Sequence, residues 1–181
     1  METLSKYAFE KWDKDLLIDY AIKIHHRGIR KNGPKIIALC EELIEKYPQN
    51  EVLSQMYSQM SESYAALCNH LDKEEQVLFP YLYELYNAYT SEQKIEQIHC
   101  GSIANPIRVM IMEHSQEDNR FACLKQQTNN FTTSVDDEQY QELVSALKEF
   151  IDAFYEHIFI ENEIIFPFFE NIEKDCVNMM W

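Results

Sequence analysis

Turn-forming residues are scarce in this chain, with three glycines and five prolines among 181 residues. So few tight turns favour long helices, and an apolar fraction of 46% excludes the disordered class. No uncharged apolar run approaches the roughly 18 residues of a membrane span, and residues 1–13 lack the basic start and apolar centre of a signal peptide. A cytoplasmic location without a membrane partner follows as the default. Basic residues are also short: 16 Lys and Arg face 31 Asp and Glu, for a net charge of −15. Nucleic acid and anionic lipid both require a basic footprint, so small molecules, cations and proteins remain as partners. The five cysteines contain no C-x-x-C pair, and their odd number argues for reduced thiols. The length suits one domain.

The apolar residues recur at helical spacing in four stretches. After a polar lead-in at residues 1–13, Ile18, Ile22, Ile29, Ile36, Cys40 and Leu43 share a stripe over residues 14–46, with a kink or break expected at Asn32-Gly33-Pro34. Tyr47-Pro48-Gln49-Asn50 closes this helix. A second helix over residues 51–89 turns Leu53, Met56, Met60, Leu67, Leu71, Leu78 and Leu85 inward, with a bend at Pro80. Residues 90–104 form a connection with a short helical piece, in which His99 is exposed and Gly101 breaks the chain. Asn105-Pro106 reads as an N-cap and first helical position, opening a third helix that carries Ile107, Met110, Ile111, His114 and Phe121 to residue 127. Ser134-x-x-Asp137 reads as a start signal for a fourth helix over residues 136–171, with Phe150, Phe154, Ile164, Ile165 and Phe168 on its stripe. The expected fold is all-α: an antiparallel up-down-up-down four-helix bundle over residues 14–171, followed by a tail at 172–181.

Set into those stripes is a repeat. His70-Leu-Asp-Lys-Glu74-Glu-Gln-Val-Leu-Phe-Pro80 returns as His157-Ile-Phe-Ile-Glu161-Asn-Glu-Ile-Ile-Phe-Pro167. In each copy a histidine and a glutamate lie one helical turn apart on one face. His114 on the third helix and His25 or His26 on the first complete a set drawn from all four helices. A lone histidine on an apolar stripe is usually an ordinary core histidine. Glutamate is different, because an ionised carboxylate in an apolar core costs several kcal/mol unless paired or bound to a cation, and neither Glu74 nor Glu161 has an inward Lys or Arg. Bundle cores of this composition hold paired iron or manganese. Structural zinc would favour four ligands, commonly thiolates. Glu75, Asp72, Asp118, Glu156 and Glu163 are expected on solvated faces, and Glu113 on either a surface or a supporting position.

In these blocks the chain resembles the hemerythrin-like di-iron proteins and, within them, the repair-of-iron-centres family of iron–sulfur cluster repair proteins. The similarity rests on Leu17-Ile18-Asp19-Tyr20 leading to His25-His26, on the two repeat blocks, and on Pro106-Ile107-x-Val109-Met110-x-x-Glu113-His114. It implies an oxo-bridged di-iron centre held by His26, His70, His114 and His157, with Glu74 and Glu161 as bridges. The apolar stripe of the first helix favours His25, whereas the motif register selects His26. Oxygen-carrying hemerythrins place H-x-x-x-H on the third helix, but here the residue four after His114 is Asp118. Many members of the repair family begin with a small cysteine-containing domain, and this chain reaches the bundle pattern almost at once.

The resulting expectation is a di-iron protein that restores iron–sulfur clusters damaged by oxidative or nitrosative stress, with the damaged cluster proteins as clients and iron donation as the route. Two other classes fit the same residues. One is enzymatic, a nitric oxide reductase; the other is a module that binds or senses oxygen or nitric oxide.

Overall fold

The structure, a computed structural model, describes residues 7–96, 98, 101–132 and 135–177. The readings made for His99, Cys100 and Ser134 fall outside them. Four long helices form the antiparallel bundle. Helix α1 runs as Lys14–Tyr20, a π-helical turn Ala21–His26, and Arg27–Lys46; α2 runs as Glu51–Lys73, a π turn Glu74–Leu78, and Phe79–Thr90. Helix α3 is Ala104–Gln127, and α4 runs as Glu138–Ile160, a π turn Glu161–Ile165, and Phe166–Cys176. Asn50 caps α2 by accepting from the amides of Val52 and Leu53, and Asp137 caps α4 through Gln139 and Tyr140.

The start of α3 differs from the expected one. Asn105 lies inside the helix and accepts from Arg108 at 2.7 Å, while Ile103 occupies the cap position. Glu173 of α4 takes over the capping work: its carboxylate accepts from the Ile103 amide at 2.8 Å and from the Ser102 hydroxyl at 2.7 Å. A partner from another helix left no signal in the local sequence. Among the described residues the connection before α3 holds no helix; Gly101 turns with φ +90, and Ile95 pairs with Val177 through its amide and the Cys176 carbonyl at 2.9 Å. The end of α4 therefore packs further than residue 171, with Ile172, Cys176 and Val177 buried. Phe9, in the lead-in, is fully buried, whereas Ile111, expected inward, is 39% exposed.

The break expected at Asn32-Gly33-Pro34 is absent, since α1 continues through Pro34. Proline leaves the carbonyl four residues earlier, that of Arg30, without its helical amide. The Tyr64 hydroxyl donates to that carbonyl at 3.5 Å. The Tyr64 ring rests on Gly33, where a Cβ would come within 2.3 Å of the ring. The triplet thus seats α2 against α1 and does not end a helix.

Buried apolar residues fall into two clusters. One gathers Phe9, Leu17, Ile18, Phe79, Leu82, Ile107, Met110, Phe166 and Phe169; the other gathers Ile29, Cys40, Leu53, Met60, Leu71, Phe121, Leu147 and Phe154. Between them lies a polar layer of His26, His70, Glu74, His114, His157 and Glu161, all buried.

Gly33→Ala should destabilise the protein by about 1–3 kcal/mol in urea denaturation, because Tyr64 must shift. Gly28, where a Cβ meets nothing within 4 Å, is the control: Gly28→Ala should be neutral or stabilising by up to about 1 kcal/mol.

Candidate metal centre

The two repeat copies place their carboxylates face to face. His70 Nε2 lies 3.3 Å from Glu74 Oε2, and His157 Nε2 lies 3.2 Å from Glu161 Oε2. His26 Nε2 reaches both carboxylates, at 3.5 Å from Glu74 and 3.7 Å from Glu161, while His114 Nε2 is 3.3 Å from Glu161 Oε2. Two groups of ligand atoms result, each within 4.8 Å of one another: His70, His114, His157 and Glu161, and His26, Glu74, His157 and Glu161.

All three π turns sit at this layer. Phe79 N–H bonds back to the Glu74 carbonyl, five residues away, and Phe166 N–H does the same to Glu161. Each widened turn begins on a glutamate of the centre and ends just before Phe-Pro, where proline supplies no amide to hold a normal turn. The third carries both His25 and His26. Widening lets two adjacent residues face inward together, so both are buried. Their roles divide nonetheless: His26 joins the cluster, whereas His25 Nε2 lies 3.4 Å from Glu156 Oε1, outside it.

The imidazoles are oriented by their other nitrogen. His26 Nδ1 donates to Glu75 at 2.8 Å, His70 Nδ1 to Glu113 at 2.9 Å, and His114 Nδ1 to Asn162 Oδ1 at 2.9 Å. Such contacts fix the tautomer and leave Nε2 for a metal. Glu75 and Glu156, expected on solvated faces, are corrected by these contacts. Glu75 is drawn inward because Arg30 donates to the same oxygen, at 3.3 Å. Glu156 likewise accepts from Tyr20 at 3.1 Å. The repeat could have pointed to Glu75 and Asn162, since both follow its glutamate. Glu117, which is also buried, had no such signal; Arg120 donates to it at 2.6 Å.

Electrostatics favour neutral rings at His26, His114 and His157, shift His70 upward through Glu74 and Glu113 against its burial, and split the two carboxylates. Burial pushes His114 down to about 4, and lowers His26 and, further, His157. Burial, then the neighbouring Glu74, raise Glu161 well above the carboxylate range. Burial also opposes ionisation of Glu74, but the nearby charge of His70 turns its balance downward. All four oxygens of the two glutamates are buried without a hydrogen-bond partner, as are Nε2 of His26 and of His157. Nε2 of His70 and of His114 face each other at 2.9 Å. Orphaned acceptors aimed at one point are what a cation requires. The residues fit cation binding, with two groups of ligand atoms that share His157 and Glu161.

A sequence profile of the hemerythrin HHE cation binding domain matches residues 17–169. The chain belongs to the hemerythrin family. This hemerythrin-family chain is 33% identical over 153 residues to a probable iron-sulfur cluster repair protein of Haemophilus influenzae, an alignment covering 83% of this chain and 63% of that protein. It is 27% identical over 167 residues to the iron-sulfur cluster repair protein YtfE of Yersinia pseudotuberculosis, covering 89% and 69%. The Escherichia coli O81 protein of the same name is 27% identical over 173 residues, covering 91% and 73%. The chain therefore spans about two thirds of the length of these relatives.

Glu113→Ala or Asn162→Ala should lower metal affinity by about 10–100-fold, measured by competition with a chelator, while circular dichroism stays helical. His26→Ala should disturb the metal's visible spectrum more than His25→Ala. The reverse ranking would move the ligand to His25.

Proposed function

We propose that this centre holds two irons and that the protein repairs iron–sulfur clusters damaged by oxidative or nitrosative stress by donating iron to them. The observation that supports this most directly is the pair of fully buried carboxylates, Glu74 and Glu161, with all four oxygens unpartnered and ringed by histidine Nε2 atoms. On this reading His26, His70, His114 and His157 are terminal ligands, and the glutamates bridge the metals together with an oxo group. Iron supplies redox chemistry and labile coordination when bound. The names of the relatives, which refer to iron–sulfur cluster repair, support the same reading.

The protein's own residues account for both holding and release. Three histidines are kept neutral by burial, so their lone pairs are available at pH 7. Glu113 and Asn162 keep two of the rings in place. Between α2 and α3 a cavity of about 280 Å³ reaches His70 and His114, and its walls include Glu113, Glu117 and Lys73. Two carboxylates beside that passage attract cations, and Lys73 tempers the attraction by pairing with Glu113. A cation leaving the histidines thus meets further oxygen donors on its way out. The clients are iron–sulfur proteins that have lost iron, and a diatomic ligand such as nitric oxide or oxygen would reach the centre by the same passage. No described helix is long and apolar enough to cross a membrane.

Anaerobically purified protein should contain about two irons per chain and show oxo-to-iron absorption. Removing the iron should lower the melting temperature, since the metal binds only the folded state. The loaded protein should reactivate a damaged cluster enzyme supplied with sulfide; metal-free protein and Glu161→Ala should not. Steady conversion of nitric oxide to nitrous oxide without iron transfer would overturn donation and favour a reductase.

A further inference from the structure

On the face of the bundle opposite the passage between α2 and α3, the seam between α1 and α4 stays open. A cavity of about 740 Å³ runs along it, within the roughly 300–1,000 Å³ of small-molecule sites. Small residues on both walls keep the helices' larger side chains from filling it: Gly28 and Ala38 on α1, Ala146 and Ala153 on α4. At Gly28 an added Cβ would meet nothing within 4 Å. Ile24, 52% exposed, and the half-buried Leu39 line the same space. Interiors otherwise pack without voids of this size, so the seam leaves apolar surface in water that a ligand would cover.

The shape of this trough selects its occupant. At the outer end Gln139 of α4 donates to Glu42 of α1 at 3.2 Å; at the inner end stands the buried His25, which the metal cluster leaves out. From residue 42 to residue 25 α1 rises about 25 Å. Averaged over that length, the volume leaves a cross-section of about 30 Å², room for one extended alkyl chain, whereas a helix, about 10–12 Å across, would ride above it. Charge narrows the choice further. The walls carry Glu42, Glu142 and Glu149 against one ammonium, Lys35, on a chain of net charge −15. Such a rim repels a fatty-acid carboxylate and attracts an amine. The polarity also runs lengthwise: Glu42, Gln139 and Glu142 lie at the outer end, and Ile24, Gly28, Ile29 and Ala153 at the inner one.

We propose that the trough between α1 and α4 binds a single-chain organic cation, a primary alkylamine of about fourteen carbons, with its ammonium at Glu42 and Glu142 and its tail reaching Gly28. The site is separate from the metal centre and needs no iron. The ammonium donates to the two carboxylates, and the tail lies against Leu39, Ile36 and Phe150 before it ends in the open space over Gly28. Affinity comes mostly from covering the methylenes, each of which tightens binding about threefold to fourfold when fully buried. The carboxylates set direction and choose the sign of the head group.

Isothermal titration calorimetry of the full chain with decylamine, dodecylamine and tetradecylamine, each below its micelle-forming concentration, tests the site. One amine should bind per chain, and each two added methylenes should tighten binding about tenfold. Decanol should bind about fivefold more weakly than decylamine, and decanoate more weakly again. Glu42→Gln combined with Glu142→Gln should bring decylamine down to the level of decanol. Gly28→Leu fills the inner end: tetradecylamine should weaken at least about tenfold, while decylamine, whose tail stops short of Gly28, is unchanged. Its melting temperature should not fall, since the new side chain enters open space and leucine favours a helix over glycine. Ala146→Leu, which narrows the middle of the trough, should weaken all three amines. Several amines per chain, affinity indifferent to tail length, decanoate equal to decylamine, or tetradecylamine undiminished in both Gly28→Leu and Ala146→Leu would overturn the site and leave only adsorption to an acidic surface.

Discussion

Burial of two carboxylates against each other is the constraint on which the rest of this bundle depends. Glu74 and Glu161 are fully enclosed, and among the described residues their ion-pair partners are histidines, with no lysine or arginine. Like charges at such range in a low dielectric are untenable without a counter-charge. The surrounding histidines answer only part of that demand, since burial strips most of them of their protons. A proton on Glu161, whose carboxyl is raised well above the usual range, answers another part, and a bound cation would answer all of it, which would tie metal binding to fold stability. The two apolar clusters on either side act as clamps: Phe79 stacks on His26 at an interplanar angle of 21°, and Phe166 on His114 at 9°. They keep water from relieving the charge by solvation.

The π turns are the backbone's share of the same arrangement. An ordinary turn separates neighbours by about 100°, which would leave His25 and His26 on different sectors and Glu75 on a solvated one. A wider turn delays the phase by part of a residue, so that adjacent side chains can serve adjacent partners. It weakens helical hydrogen bonding, and such turns therefore cluster where function compensates for them. In α2 and α4 the following prolines, Pro80 and Pro167, already forbid a regular ladder, so the widened turn is placed where a regular one was unavailable.

This explains what the sequence could and could not disclose. The helices, their inward leucines and the converging histidines and glutamates follow from spacing, because apolar periodicity and side-chain type are written residue by residue. The choice between His25 and His26 does not follow, for a stripe drawn at constant phase has no means of showing a π turn. Glu75 was misassigned for the same reason, since its position was measured on an ideal helix; Glu156 sits in a regular stretch and was misassigned because its partners, Tyr20 and His25, belong to another helix. Asn32-Gly33-Pro34 misled in another way, since its meaning lies with Tyr64 on a different helix. Glu173 capping α3 is a further instance of a long-range partner replacing a local signal.

The anchoring contacts also have an order around the bundle. His26 of α1 is held by Glu75 of α2, His70 of α2 by Glu113 of α3, and His114 of α3 by Asn162 of α4. Glu156 of α4 approaches His25 of α1 and closes the circuit. Three of the four helix interfaces are thus crossed at the level of the centre by a hydrogen bond that orients an imidazole, and the fourth by a proximity of 3.4 Å between Glu156 and His25 Nε2. Sliding any helix against its neighbour would misdirect a ring, and displacing a ring would loosen an interface. Packing and coordination are therefore one cooperative system, in which the geometry of the centre reports the seating of all four helices. The contacts are not equal, however. Glu75 and Glu113 share their charge with the half-exposed cations Arg30 and Lys73, whose pull weakens as salt screens it, whereas the amide of Asn162 carries no net charge. Two of the four interfaces can therefore be tuned by the ionic surroundings, while the one between α3 and α4 is held by a neutral hydrogen bond and stays fixed.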